Sequence, residues 1–156
     1  MLDADDMFTE NGISIRYNKL QEGYDLVHGP VLDLRGEKLH ESKLWKKWLE
    51  SKKDASCYRL MHAQSVMLKK DIHRKVGLYD ESLRHKSDRE MWARVFNRPK
   101  QFKIGWVEEY VSKYRRHPRQ MTNSKEKKKI NSRLQKMVLG LVEKRKTNLS
   151  GVNMLT

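Results

Sequence analysis

An α/β domain, with a mixed sheet flanked by helices, is the architecture this sequence predicts. Three observations lead there. Short apolar runs at 26–32, 65–68, 103–107 and 110–114 have strand length and β-type composition. Between them lie segments in which apolar residues recur at helical spacing, and such alternation suggests layered sheet and helices. The chain also opens on Leu2-Asp3-Ala4-Asp5-Asp6, an apolar residue running straight into carboxylates. If Leu2 ends a buried strand, Asp3 and Asp5 emerge together at its carboxyl end, where open α/β sheets bind ligands.

Each element has a local reason. After Thr9, the residues Ile13, Tyr17 and Leu20 recur at helical spacing, and Gly23 is a natural stop. Residues 26–32 read as a strand interrupted or edged at Pro30, since proline cannot donate to a ladder. Arg35-Gly36-Glu37-Lys38 is a turn. Leu44, Trp45, Trp48 and Leu49 form the apolar stripe of a short helix with a lysine-rich outer face, and packing is the expected role of both tryptophans. Residues 54–56 read as a loop. A short strand at 65–68 precedes a helix over 70–76, closed by Gly77 as its C-terminal cap. Residues 78–83 form an irregular connection. Ser87 is the expected N-cap of a helix carrying Met91, Trp92, Val95 and Phe96, with Pro99 just beyond its end. Strands near 103–107 and 110–114 follow.

The last segment, 124–146, reads as a basic amphipathic helix. Nine basic residues stand there against Glu126 and Glu143, with Ile130, Leu134, Val138 and Leu141 on one face. The tail 147–156 is expected to fray. The division is therefore 1–123 as one domain, 124–146 as the basic helix and 147–156 as the tail.

Bulk properties narrow the function. The formal net charge of +14 favours polyanionic partners: nucleic acid, an anionic membrane surface, or a phosphate-bearing substrate. Cys57 is the single cysteine, so an intrachain disulfide and a cysteine zinc site are both excluded, and a reducing, cytoplasmic setting is expected. No apolar run approaches membrane-spanning length, which leaves peripheral membrane contact open. The six histidines show no HExxH-type spacing, and no phosphate-cradling glycine loop is present. An EF-hand reading fails because Met7 stands where the third oxygen ligand belongs.

Three local features could carry chemistry: Asp3/Asp5/Asp6, Ser87-Asp88-Arg89-Glu90, and Tyr114-Arg115-Arg116-His117. Alone, each matches a common structural pattern: a solvated acidic loop, an ordinary helix start, a basic face. In this order, they resemble the family 2 glycosyltransferases of GT-A fold. The likeness runs from Leu2 to Asn123. It includes the Asp-x-Asp element Asp3-Ala4-Asp5, then Asp25-Leu26-Val27-His28-Gly29, Val66-Met67-Leu68-Lys69-Lys70 and Val76-Gly77-Leu78-Tyr79-Asp80-Glu81-Ser82-Leu83. Ser87-Asp88-Arg89-Glu90-Met91-Trp92-Ala93-Arg94 and Tyr114-Arg115-Arg116-His117 complete it.

The resemblance implies an incomplete GT-A, Rossmann-like domain and an inverting, metal-dependent transfer. A sugar would pass from a nucleoside-diphosphate donor, UDP-linked by preference, to the hydroxyl of a saccharide or other acceptor. It implies Mn²⁺ or Mg²⁺ on Asp5 and His117. Asp3, Asp6 and Arg115 would lie near the nucleotide sugar, Asp88 would be the catalytic base, and Glu90 would orient the acceptor. Ser87 stands where the family carries an acidic residue. A helix N-terminus would favour the ionised Asp88 and make it a weak base.

In that family the nucleotide is bound largely by the half of the sheet that precedes the Asp-x-Asp element, and here the sequence opens one residue before the matching run Leu2-Asp3-Ala4-Asp5-Asp6. A fragment or misplaced start is the favoured explanation. A split enzyme with a separate chain supplying the first half, and an inactive remnant, are the others. The rival functional reading is a non-catalytic basic module that binds anionic membrane or nucleic acid through 124–146. Nucleic acid fits poorly, because Asp3, Asp5 and Asp88 oppose phosphate unless a metal intervenes.

Overall fold

The computed structural model describes residues 2–51, 57–83, 86–98, 100–118 and 120. The loop expected at 54–56, the basic helix at 124–146 and the tail at 147–156 lie outside them. The described chain is α/β, with two sheets flanked by helices. One sheet has the order β1-β7-β3-β4, formed by Met7–Phe8, Ser112–Arg116, Val31–Arg35 and Lys38–Glu41. The other has the order β5-β2-β6, formed by Met67–Leu68, Leu26–His28 and Ile104–Trp106. Both are mixed: β3 runs parallel to β7 and antiparallel to β4, and β2 runs parallel to β6 and antiparallel to β5.

The run expected as one interrupted strand at 26–32 is two strands in two sheets. Gly29-Pro30 carries the chain from β2 across to β3, and the backbone there packs tightly. A Cβ on Gly29 would stand 2.7 Å from methyl groups of both Val107 and Val111, so only glycine fits. The turn at Arg35 closes a hairpin in which Arg35 pairs with Lys38, with Gly36 in the left-handed region at φ 60°. Its second strand, β4, was not anticipated: all four of its residues are exposed, so burial leaves no apolar pattern to read.

The helices are α1 (Gly12–Gln21), α2 (Lys43–Ser51), α3 (Asp71–Val76) and α4 (Ser87–Phe96). Around β2 the alternation of a strand sorts the core into two layers. Leu26 joins a large cluster with Trp48, Ile72, Met91, Trp92 and Val95, while Val27 joins Leu20, Val107 and Val111. Helix α2 packs through its tryptophans as expected, although Leu49 of the same stripe is exposed: Trp45 and Trp48 are stacked at 5.0 Å and the fully buried His28 ring lies edge-on to Trp48 at 4.3 Å. Helix α3 ends on Gly77 at φ 87°, whose N–H donates to the His73 carbonyl.

Three expectations are corrected. Leu2 is not the end of a buried strand: it is 40% exposed, and the first strand, β1, follows the acidic run. Helix α1 does not turn Ile13 and Tyr17 inward. They are 52% and 56% exposed, and the inward face is Gly12, Arg16 and Leu20, spaced four apart. Gly12 sets this orientation, because any Cβ there would collide with the Val111 carbonyl. Ser87 is the first helical residue rather than the cap. Lys86 precedes it in the left-handed region at φ 60°, and no side chain caps the helix.

Candidate functional site

The acidic run is held by the far end of the chain. Thr9 donates its N–H to the Val111 carbonyl at 3.2 Å and its hydroxyl to the Tyr110 carbonyl at 2.6 Å, fixing β1 beside β7. Beyond β7, the Asp5 carboxylate meets the His117 ring at 2.8 Å. The Arg115 N–H donates to the Asp6 carboxylate at 2.9 Å, and its side-chain Nε donates to the Asp5 carbonyl at 3.1 Å. Residues over a hundred positions apart, Asp5, Asp6, Arg115 and His117, are thereby brought together as the motif order suggested.

The carboxylates of this run have different environments. The hydrogen bond with His117 holds Asp5 below the usual carboxylate range. Asp6 is buried, and desolvation pushes it up to about 6 against the pull of the Arg115 N–H. Asp3 is exposed. Asp5 offers a carboxylate oxygen of the kind Mg²⁺ or Mn²⁺ takes, and the His117 ring nitrogen now hydrogen-bonded to it is the adjacent donor. Among the described residues, no three His, Cys, Asp or Glu side chains gather as a ready metal site, so further ligands would come from substrate and water.

Asp88 stands in the first turn of α4 on the wall of a cavity of about 420 Å³. Phe8, Ile13, Val66, Leu68 and Trp92 make much of that wall apolar, and Arg16, His73 and Tyr79 also line it. Burial raises the Asp88 carboxyl, outweighing the backbone N–H groups at the helix start that stabilise its anion. The weak base expected from the helix N-terminus is thus a stronger one. The charge on Asp3 adds a little to this rise.

Glu90 does not join this site. It is fully buried and ion-paired with Arg94 at 2.9 Å, while Arg94 also donates to the carbonyls of Val76 and Leu78. Glu90 therefore ties α4 to the end of α3. Trp92, 2% exposed, is a core residue as expected and also backs the cavity. Sequence reasoning missed Arg16 and Phe8, whose ring lies 5.0 Å below the Arg16 guanidinium. The one available signal was the Gly12, Arg16, Leu20 spacing, set against a more conspicuous apolar stripe.

An α/β domain with an acidic run, a histidine and a cavity-lining carboxyl is the class that fold and site define. No protein-family model matches the chain. It is 26% identical over 137 residues to a Rickettsia prowazekii (strain Madrid E) protein named as an uncharacterized glycosyltransferase. That match takes in 79% of this chain and 41% of the relative, so the chain spans less than half the relative's length. The likeness supports a glycosyltransferase relationship.

Proposed function

We propose that the chain carries the diphosphate end and the acceptor cavity of an inverting, metal-dependent glycosyltransferase of the family 2 type. The observation that carries this reading is Asp88: a carboxyl raised by burial, on the wall of a substrate-sized cavity. In the proposed reaction the acceptor hydroxyl gives its proton to the Asp88 carboxylate. The acceptor oxygen bonds to the anomeric carbon from the face opposite the donor diphosphate. The bond from that carbon to the diphosphate oxygen breaks, and the diphosphate leaves with the electron pair. Asp5 and His117 would hold Mn²⁺ or Mg²⁺, which neutralises charge on the leaving diphosphate. Arg115 would sit beside that diphosphate, and Asp3 and Asp6 near the rest of the donor.

The test is calorimetric titration of the chain with UDP, with and without Mn²⁺, followed by assay of UDP release from UDP-sugars. The expected result is Mn²⁺-dependent binding that falls at least tenfold in Asp5→Ala. Binding indifferent to EDTA and to Asp5→Ala would overturn the reading.

A further inference from the structure

Arg16 is a buried cation without a paired carboxylate among the described residues. It is 1% exposed, and among the described residues its hydrogen bonds go to neutral carbonyls: Nε to Gly12 at 2.7 Å and Nη1 to Gln64 at 2.9 Å. Nη2 is buried without a hydrogen-bond partner. No carboxylate lies within ion-pair reach of it among the described residues. Burial alone lowers its proton affinity, to a pKa of about 10, so it remains a cation at neutral pH.

Two other buried ions of the protein do have counter-ions. Arg94 has Glu90 at 2.9 Å, and buried Asp33 has Arg116 at 3.2 Å and Arg35 at 3.6 Å. A buried ion left without its counter-ion is strongly unfavourable, and a methionine or leucine could pack α1 at no such cost. The Phe8 ring 5.0 Å from the guanidinium offsets part of that cost but supplies no negative charge. Two of the five guanidinium N–H donors are used, and the remaining ones on Nη1 and Nη2 have no protein acceptor among the described residues.

Arg16 also lines the cavity that Asp88 lines. We infer that Arg16 is an anion-recognition residue and that the acceptor is an acidic saccharide: its hydroxyl faces Asp88, its carboxylate or phosphate pairs with Arg16, and its ring lies on the apolar wall. The Asp88 end of this arrangement rests on the glycosyl-transfer reading; the anion site at Arg16 does not. Charge complementarity then gives selectivity against neutral sugars of the same shape, because such a sugar would enter and leave the cation uncompensated.

The experiment is calorimetric titration of the full chain, in EDTA and without donor, with methyl β-glucuronide, glucose 6-phosphate and methyl β-glucoside. At least one acidic probe is expected to bind tenfold or more tightly than the glucoside, and whichever acid wins separates a carboxylate from a phosphate acceptor. Arg16→Met should remove the preference and Arg16→Lys should keep part of it. Equal binding of all three, binding of none, or a preference that survives Arg16→Met would overturn the inference. Should Arg16→Met fail to fold, the ¹⁵Nε resonance of Arg16 in the unaltered protein decides. The acidic probe must move it and the glucoside must not. Loss of Mn²⁺-dependent UDP binding beside an intact acid preference would remove glycosyl transfer and leave the anion site standing.

Discussion

Acid should destabilise this protein through two neutral histidines, and His28 lets that effect be isolated. His28 ends β2, is 1% exposed and is wedged edge-on to Trp45 and Trp48 at 5.9 and 4.3 Å. Burial lowers its pKa from 6.5 to about 3. His62 falls to about 4, through burial first and then the charge of Arg116, with Asp33 opposing. For a base with a depressed folded pKa, the unfolded chain binds the proton more readily below pH 6.5, so stability declines as pH falls. From pH 7 to pH 5, each histidine costs about 2 kcal/mol at about 1.4 kcal/mol per pH unit, or about 4 kcal/mol together. Urea unfolding followed by tryptophan fluorescence at both pH values measures this. His28→Leu carries its own packing cost, but that cost is present at both pH values and cancels in the difference. The variant should therefore lose about 2 kcal/mol less than the unaltered protein over this interval. Equal losses would refute the claim that His28 is held neutral by burial.

Two further outcomes follow from the site and its support. Glu90→Leu leaves the Arg94 guanidinium buried without its carboxylate and should cost about 3–5 kcal/mol in urea unfolding, whereas a change under about 1 kcal/mol would show the pair to be dispensable. Asp88→Asn should cut glycosyl transfer by about a hundredfold or more at neutral pH. On the proposed reaction, the rate of the unaltered protein should rise with pH through a pKa above the usual carboxylate value, because burial raises Asp88, and that acid limb should vanish in the variant.

What could be read from the sequence depended on whether a residue's neighbours lay nearby in the chain. Helix α3 and its Gly77 cap, the packing of Trp45 and Trp48, and the turn at Gly36 are local decisions and were legible. The change of sheet at Gly29-Pro30 was legible only as an interruption, because the reason for it is the approach of Val107 and Val111 from far along the chain. The same holds for α1: hydrophobicity pointed Ile13 and Tyr17 inward, but Gly12 against the Val111 carbonyl turned the helix and buried Arg16 instead. At the site, motif order found Asp5, Asp6, Arg115 and His117. It could not distinguish Glu90, an internal ion-pair partner, from Asp88, two residues earlier on the cavity wall.

That distinction recurs within the acidic run, where adjacent carboxylates are suited to different work. Asp6 is buried, accepts the Arg115 N–H and has its proton affinity raised, so its folded role is to clamp β7 against the chain before β1. Asp5 is half-exposed, and its anion is favoured by His117. The proposed cation needs a ligand that is already ionised and reachable, a requirement Asp5 meets better than Asp6. The clamp and the ligand are nonetheless coupled: Arg115 binds the Asp6 carboxylate through its N–H and the Asp5 backbone through its side chain. These contacts hold Asp5 beside His117 at the end of β7.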